Sequence, residues 1–333
     1  MIDISRILNA VYRHPAILAF IALMIVTGMV FVHNNFAMGV HGAVDEKKLY
    51  VYSSREIFRF FEDMGYKDLY YNSMAVSRNS DGTALRFING RKKKGIVAGC
   101  DGSIMVVDIP GDLAWLNDAN QVIVWVTWID NKSVTHYANG TSEKSSFFPA
   151  HGPDPSGKYF IKERTDLAVV PLNESCYTTI YSTRRPFIPL VKADICGAVK
   201  IFYKNNKVYL TGKQLRDGKW QEEEIRIFQH NTENALEQID RIIVPKPDKS
   251  LRYFYAEDLN PCDDEMLFID THDFPSRSVW YSFNLKTRQL NKVDKVPRSG
   301  AQAFYLQCDI VKKVTDELKK RVPSGVSRGG RGS

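Results

Sequence analysis

The chain is most constrained by an uncharged apolar run near its N-terminus, residues 15–32 (PAILAFIALMIVTGMVFV). A helix over these residues would be about 27 Å long, close to the hydrocarbon thickness of a bilayer. The apolar core of a cleaved signal peptide is shorter, roughly 7–15 residues, so the length favours a retained transmembrane helix. Cleavage is the alternative, because Ala37 and Gly39 form a small-x-small pair. The expected span includes Pro15, Leu18, Phe20, Leu23, Ile25, Gly28 and Phe31.

Charges on the two sides of this run predict its orientation. Arg6 and Arg13 precede the run, whereas the next twelve residues, 33–44, contain no Lys or Arg. The positive-inside rule therefore leaves residues 1–14 in the cytoplasm and the rest of the chain outside it. We expect a single-pass inner-membrane protein whose bulk is periplasmic. A eukaryotic type II membrane protein with a lumenal or extracellular body is the alternative.

The net charge of +7 is concentrated at the two ends of the chain. Residues 1–13 contribute +1 and residues 312–333 contribute +5, so the body between them is nearly neutral. Nucleic-acid binding relies on clustered Lys and Arg that neutralise phosphates. The charge distribution therefore argues against a nucleic-acid partner.

Five cysteines follow the apolar run, in what we expect to be an oxidising compartment: Cys100, Cys176, Cys196, Cys262 and Cys308. Their wide spacing contains no CxxC motif or Cys/His cluster, so we expect no metal and no cofactor. We expect disulfides Cys262–Cys308 and Cys176–Cys196, with Cys100 free. The alternative is that most of the five are small buried residues.

The body of the chain has the pattern of an all-β protein. Residues 33–46 form a polar linker by composition, and residues 47–69 contain a strand followed by a short helix that a capping box at Ser53 opens. From about Tyr70 onward, short runs of Val, Ile, Tyr, Phe and Trp alternate with Gly, Asn, Asp and Pro. Asp101-Gly102, Asn205-Asn206 and Asp217-Gly218 predict tight hairpins, since these residues accept positive φ.

A weak internal repeat accompanies this pattern, in which an acidic turn leads into an apolar strand. It occurs at residues 80–88, 116–125, 153–161 and 261–269. The first three copies are about 37 residues apart, near the range of β-propeller blades.

The segment Asp154-Pro155-Ser156-Gly157-Lys158-Tyr159 resembles the turn-and-strand signature of TolB-like β-propeller repeats, and residues 266–290 resemble one such blade. This TolB-like or WD-type resemblance implies an all-β propeller of about six blades over residues 47–309. Residues 47–75 would supply a seventh blade if they form one. The likeness fails at residues 190–250, where the acidic turn is missing.

Two C-terminal segments follow. The spacing of Ile310, Val311, Val314 and Leu318 predicts an amphipathic helix over residues 310–322 that packs on the domain or on a partner. Residues 323–333 are low in complexity, which predicts a disordered tail. Candidate contacts for a partner lie on this helix and on a basic tip: Ile310, Val314 and Leu318, and Arg91, Lys92, Lys93 and Lys94. The basic tip also suits anionic lipid.

Candidate catalytic residues come from an acidic run, Asp263 to Asp273. Asp270, His272 and Asp273 would be its catalytic members if carboxylates converged on a propeller channel, where they could act as general acid and base on a glycosidic bond. Solvated turns are the simpler explanation for this run. No GxSxG, HExxH, Walker or dinucleotide motif occurs in the chain.

The sequence therefore favours a membrane-anchored propeller that acts as a binding scaffold, as a subunit of a bacterial secretion or transport assembly in the envelope. An anchored carbohydrate-active hydrolase or lyase is one alternative. A sensor that binds a ligand and signals through the span is another.

Overall fold

The computed structural model of the chain describes residues 42–44, 49–53, 74–90, 92–129, 132–145, 152–164, 176–216, 219–231, 235–247, 254–273, 277–293 and 301–321. The predicted span, the predicted short helix after Ser53 and the predicted C-terminal tail lie outside these residues. Across the described part of the chain, no helix has the length and hydropathy needed to span a bilayer.

The described residues form an all-β propeller with five blades, each a meander of antiparallel strands. Blade 1 contains β3 (Met74–Arg78), β4 (Ala84–Asn89), β5 (Lys94–Gly99) and β6 (Ile104–Asp108). Blade 2 contains β7 (Leu113–Leu116), β8 (Val122–Ile129), β9 (Lys132–Tyr137) and β10 (Ser142–Ser145). Blade 3 contains β11 (Tyr159–Arg164), β12 (Tyr177–Ser182) and β13 (Arg185–Ala193). Blade 4 contains β14 (Cys196–Lys204), β15 (Lys207–Arg216), β16 (Lys219–His230) and β17 (Leu236–Ile243). Blade 5 contains β18 (Phe254–Leu259), β19 (Glu265–Asp273), β20 (Arg277–Asn284) and β21 (Leu290–Val293).

A further three-stranded sheet joins the first two strands of the described domain to its last one. It contains β1 (Gly42–Val44), β2 (Leu49–Ser53) and β22 (Ala301–Tyr305), in the order β1-β2-β22. We call it the closing sheet, because β22 packs on blade 5 through Ala303 and Tyr305 while the next residue, Leu306, packs on blade 1. The expected count of about six blades is therefore corrected to five, and β1 falls inside the segment predicted to be a linker.

The two ends of the propeller carry different connections. The turn face contains residues 79–83, 117–121, 154–158, 205–206 and 260–264, which are neighbours around the ring. Ser80 N, for example, donates to Asp118 Oδ1 at 2.9 Å, and Lys204 Nζ donates to the Asn260 carbonyl at 2.9 Å. The opposite end, which we call the hairpin face, contains the tips between β4 and β5, β8 and β9, and β15 and β16.

Neighbouring blades pack through apolar side chains on both surfaces of each sheet. Between blades 4 and 5, for example, Phe202 and Ile225 meet Phe254, which stacks on Phe268 with ring centroids 5.1 Å apart. Both surfaces of an inner strand are buried, and this is why strands such as β4 are apolar at most positions rather than at alternate ones.

One helix, α1 (Ile310–Arg321), follows the closing sheet, close to the predicted range. Ile310 and Val314 are fully buried and belong to one cluster with Leu85, Phe87 and Ile96 of blade 1. The helix therefore packs on the domain, and these two side chains do not form the partner contact that the sequence suggested. The side chain of Leu318 lies outside the described part of the structure.

The disulfides differ in part from the expected pairs. Cys176 is joined to Cys196, whereas Cys308 is joined to Cys100, with Cα atoms 5.7 Å apart, and not to Cys262. Cys262 is exposed and free. The predicted pairing Cys262–Cys308 was wrong because the closing sheet places Cys308 beside the β5–β6 turn of blade 1, a neighbour 208 residues away in sequence.

Candidate functional site

Arg78, at the end of β3, closes the centre of the propeller near the turn face. Its side chain is 3% exposed, and its Nε and Nη2 both donate to the Asp258 carboxylate, each with a contact of 2.8 Å. Nη1 donates to the Asn79 and Ser80 carbonyls at 2.7 and 2.9 Å, and Nη2 also donates to the Leu259 carbonyl. All of the guanidinium nitrogens therefore have partners, which is what a buried arginine requires.

Arg86, in β4, is a second buried arginine at the same end. Its guanidinium donates to the carbonyls of Leu116 at 3.1 Å, Asn117 at 2.6 Å and Pro155 at 2.9 Å. Burial lowers the pKa of Arg86 to about 10, and the nearby Asp118 carboxylate opposes this shift. Arg86 stays charged at neutral pH and links blade 1 to residues of blades 2 and 3.

These two arginines leave little free space at the centre. The cavity beside them, lined by Arg78, Pro155, Tyr203 and Pro261 among others, has a volume of about 10 Å³. That volume holds about one water molecule. Among the described residues, Arg78 and Arg86 therefore form a structural plug at the centre near the turn face.

The turn that carries the TolB-like resemblance is also structural. Asp154 is buried, and its carboxylate accepts from the backbone N–H groups of Ser156 at 2.9 Å and Tyr159 at 2.7 Å. Burial raises the pKa of Asp154. Gly157 has a φ of +75°, and a Cβ there would meet the Ile123 side chain at 2.5 Å, so both the backbone and the space select glycine.

The acidic run does not form one site. Asp264 lies on the turn face, where it pairs with Lys286 at 2.6 Å and Lys204 at 3.7 Å. The hydrogen bond from Lys286 lowers the pKa of Asp264, and burial lowers the pKa of Lys204.

The other members of the run, Asp270, His272 and Asp273, lie further along β19, toward the hairpin face. Asp270 is about 17 Å from Glu265 along the strand, at 3.3 Å per residue. Asp270 is 5% exposed, and the side chains of His272 and Asp273 lie outside the described residues. No group of three or more His, Cys, Asp or Glu able to hold a metal ion is found among the described residues.

Blade 4 carries a polar cluster that the sequence analysis missed. Glu224, 1% exposed on its side chain, pairs with Arg226 at 2.9 Å and with Arg241 at 2.5 Å, and Asp194 pairs with Arg226 at 2.5 Å. Arg241 and Glu224 also line a cavity of about 380 Å³ whose other walls are Gln214, Arg216, Gln221, Glu222 and Ile243. The polar run Gln221–Glu224, directly before the apolar residues of β16, was the available signal.

Glu223, next to this cluster, points to the opposite surface of β16, between blades 4 and 5. It is fully buried opposite Lys213 of β15. Burial raises the pKa of Glu223 to about 8 and lowers the pKa of Lys213.

The basic residues after Gly90 lie at the β4–β5 tip, on the hairpin face. Lys93 pairs with Asp112 at 2.7 Å, and the same carboxylate accepts from the backbone N–H of Trp128 at 3.0 Å. Lys94 pairs with Asp108. The two contacts of Asp112, with Lys93 and with Trp128, place the basic tip of blade 1 beside the β8–β9 tip of blade 2. Arg91 lies outside the described residues.

No protein-family model matches the chain, and no curated protein matches it. Among solved structures, the putative TolB from Agrobacterium tumefaciens is similar at 12% identity over 71% of this chain and 90% of that one, with a TM-score of 0.41. An oligogalacturonate lyase solved with manganese is similar at 9% identity over 77% and 72% of the two chains, with a TM-score of 0.34. The β-propeller domain of Cps50 (Swd1) from Myceliophteria thermophila is similar at 8% identity over 66% and 85%, with a TM-score of 0.30. The chain thus resembles TolB-like and WD-type propellers at the level of the fold.

Proposed function

We propose that this chain is a binding scaffold: a propeller held at a membrane by residues 15–32, in an extracytoplasmic compartment, as a subunit of an envelope assembly. The observation that carries the proposal is the plug made by Arg78, Arg86 and Asp258. The plug fills the centre near the turn face, where the catalytic groups of a propeller enzyme could converge. The acidic run, for its part, is divided between the two ends of blade 5.

The two disulfides support the proposed compartment. Disulfides persist outside the cytoplasm and are rare within it. Cys100–Cys308 also fastens the residues after β22 to blade 1. A scaffold in an envelope assembly benefits from a ring that cannot easily reopen.

An apolar patch on β13 is a candidate surface for a protein partner. Phe187 and Ile188 are 51% and 54% exposed on this outer strand. The Phe187 ring is held by the edge of Tyr137, with centroids 5.9 Å apart, and by Lys162, whose Nζ lies 5.6 Å from the ring centroid. An aromatic side chain that is exposed yet already fixed suits an interface, because little entropy is lost on binding.

The test is co-purification of the tagged full chain from its own membranes in mild detergent, after cross-linking. We expect a reproducible set of envelope proteins, and we expect Phe187→Ser with Ile188→Ser to reduce their recovery. The matched control is Met105→Ser with Val106→Ser, which changes two exposed residues on the outer strand of blade 1.

Recovery of the chain only as a monomer would contradict the scaffold. Turnover of an oligosaccharide that Asp270→Asn abolishes without loss of stability would instead support the hydrolase or lyase.

A further inference from the structure

Large apolar side chains are exposed at the tips of two hairpins on the hairpin face. At the end of β8, Trp128 is 48% and Ile129 is 56% exposed, and at the start of β16, Trp220 is 46% exposed. Each tip is the connection between the second and third strands of its blade. All three residues therefore lie near the same end of the propeller, and the Trp220 ring rests over Gly197 of β14.

Basic side chains surround these apolar tips. The exposed cations of the described tip residues are Lys92, Lys93, Lys94, Lys132, Arg216 and Lys219. The acidic side chains described beside them are Asp108, Asp112 and Glu222, and the sequence adds Arg91, Asp130 and Asp217 to the same tips. Seven cations against five carboxylates leave these tips with a small positive excess of two charges.

The direction of the first strand, β1, shows that the chain enters the domain from the hairpin face. Strand β22 runs from the hairpin face toward the turn face, and β2 pairs antiparallel with it, from Leu49 opposite Tyr305 to Ser53 opposite Ala301. Strand β1 is antiparallel to β2 and starts with Gly42 opposite Val51. Strand β1 therefore runs from the hairpin side toward the turn face.

The length of chain before Gly42 limits how far the domain can lie from a membrane. Between the end of the apolar run at Val32 and Gly42 are residues 33–41, which reach at most about 30 Å even when fully extended. A tether of this length holds the domain close to the bilayer surface.

We propose that the hairpin face docks on the bilayer, with Trp128, Ile129 and Trp220 in the interfacial layer and the surrounding Lys and Arg on anionic lipid headgroups. The inference rests on the proposed membrane anchor. Trp is enriched at the membrane interface because its ring is amphipathic, and Lys or Arg near it can extend toward phosphates. An acidic protein partner would use the same charges, but the direction of β1 and the short tether favour the lipid surface.

The experiment uses the full chain reconstituted into vesicles of phosphatidylcholine alone or with phosphatidylglycerol. In a Cys262→Ser background, a nitroxide is attached at Ile129→Cys on the hairpin face or at Arg184→Cys, the matched exposed position on the turn face. Accessibility to oxygen and to an aqueous nickel reagent is then measured by electron paramagnetic resonance.

We expect the label at position 129 to be shielded from the nickel reagent in anionic vesicles and much less in neutral ones, while the label at 184 stays accessible in both. Each lysine near an anionic surface strengthens binding about fivefold, so Lys92→Gln with Lys132→Gln should lower the ratio of docked to undocked chain about 25-fold. The control is Lys312→Gln with Lys313→Gln, two exposed lysines of α1.

Carbonate extraction of the same vesicles separates the two claims. If the chain resists extraction but position 129 is as accessible as 184, the docked face is wrong and the anchor stands. If carbonate removes the chain, the anchor is wrong. Equal shielding in neutral and anionic vesicles would overturn recognition of anionic headgroups, and shielding only in native membranes would favour a protein partner.

Discussion

At the scale of single residues, the structure depends on a few buried charges that no sequence pattern identifies. Arg78 and Arg86 stand in strands whose other residues are mostly apolar. The partners of Arg86 are mostly backbone carbonyls from other blades, which leave no trace in the sequence. Predicting the plug would have required knowledge of which turns meet at the centre.

Removing Arg78 should be far more costly than removing an exposed arginine. Arg78→Met leaves the Asp258 carboxylate buried without its ionic partner, so we expect the free energy of unfolding to fall by about 3–5 kcal/mol. The matched control is Arg288→Met, whose partner Asp240 is 42% exposed on its side chain. We expect a loss of about 0–1 kcal/mol there.

Urea denaturation of the two variants, followed by circular dichroism, measures both losses. Similar small losses in both would show that the central ion pair contributes little to stability.

Glu223 makes stability depend on pH in a direction opposite to that of most carboxylates. Its pKa of about 8 in the fold lies above its ordinary value of 4.5, so the folded chain retains a proton that the unfolded chain loses. Stability therefore falls as the pH rises from about 4.5 to about 8, where Glu223 ionises in the fold.

Glu223→Gln cannot ionise, so the free energy of unfolding of the variant should fall less than that of the natural chain between pH 5 and pH 9. Unfolding free energies at the two pH values measure the difference. Glu222→Gln, at an exposed neighbour, is the control and should leave the change of unfolding free energy with pH as it is in the natural chain. If Glu223→Gln also leaves that change as it is, another group causes the pH dependence.

At the scale of elements, the turns were the most predictable part of the fold. Asn205 and Asn206 have φ values of +51° and +60° and join β14 to β15, as the hairpin pattern predicts. The acidic turns of the internal repeat became connections on the turn face in four blades. Turn chemistry is local, so sequence can specify it.

The predicted Cys262–Cys308 disulfide was wrong because, unlike a turn, a disulfide is not determined by local sequence. A disulfide depends on which elements are neighbours in space, and here the closing sheet brings Cys308 to Cys100. Cys262, on the turn between β18 and β19, has no cysteine partner among the described residues.

Loss of the Cys100–Cys308 disulfide should therefore destabilise the domain strongly. Its loop of 208 residues is long, and loss of such a cross-link costs about 2–5 kcal/mol. We expect Cys308→Ser to lower the urea midpoint accordingly, while Cys262→Ser has almost no effect.

Alkylation under non-reducing conditions checks the pairing directly, with Cys262 as the expected modified cysteine. Recovery of a disulfide-linked peptide that contains Cys262 and Cys308 would contradict the structure.

At the scale of the whole molecule, the all-β propeller could be predicted, but its blade count could not. An average of 40–45 residues per blade predicted about six. Blade 4 uses longer strands, with twelve residues in β16, and the first and last strands of the described domain share one sheet. The sequence region without an acidic turn, residues 190–250, is this same blade, whose first turn is Asn205–Asn206. Repeat spacing measures an average and cannot show how a ring closes.

The closing sheet also has a consequence for folding during synthesis. Strand β2 is synthesised roughly 250 residues before its partner β22, an interval of about 12 to 50 s at 5–20 residues per second. During that interval β2 lacks the neighbour that will cover its edge, and an uncovered strand edge pairs readily with other chains. Strand β2 must therefore be kept apart from other polypeptides until β22 has been synthesised, so correct folding of the domain during synthesis depends on its last strand as much as its stability does.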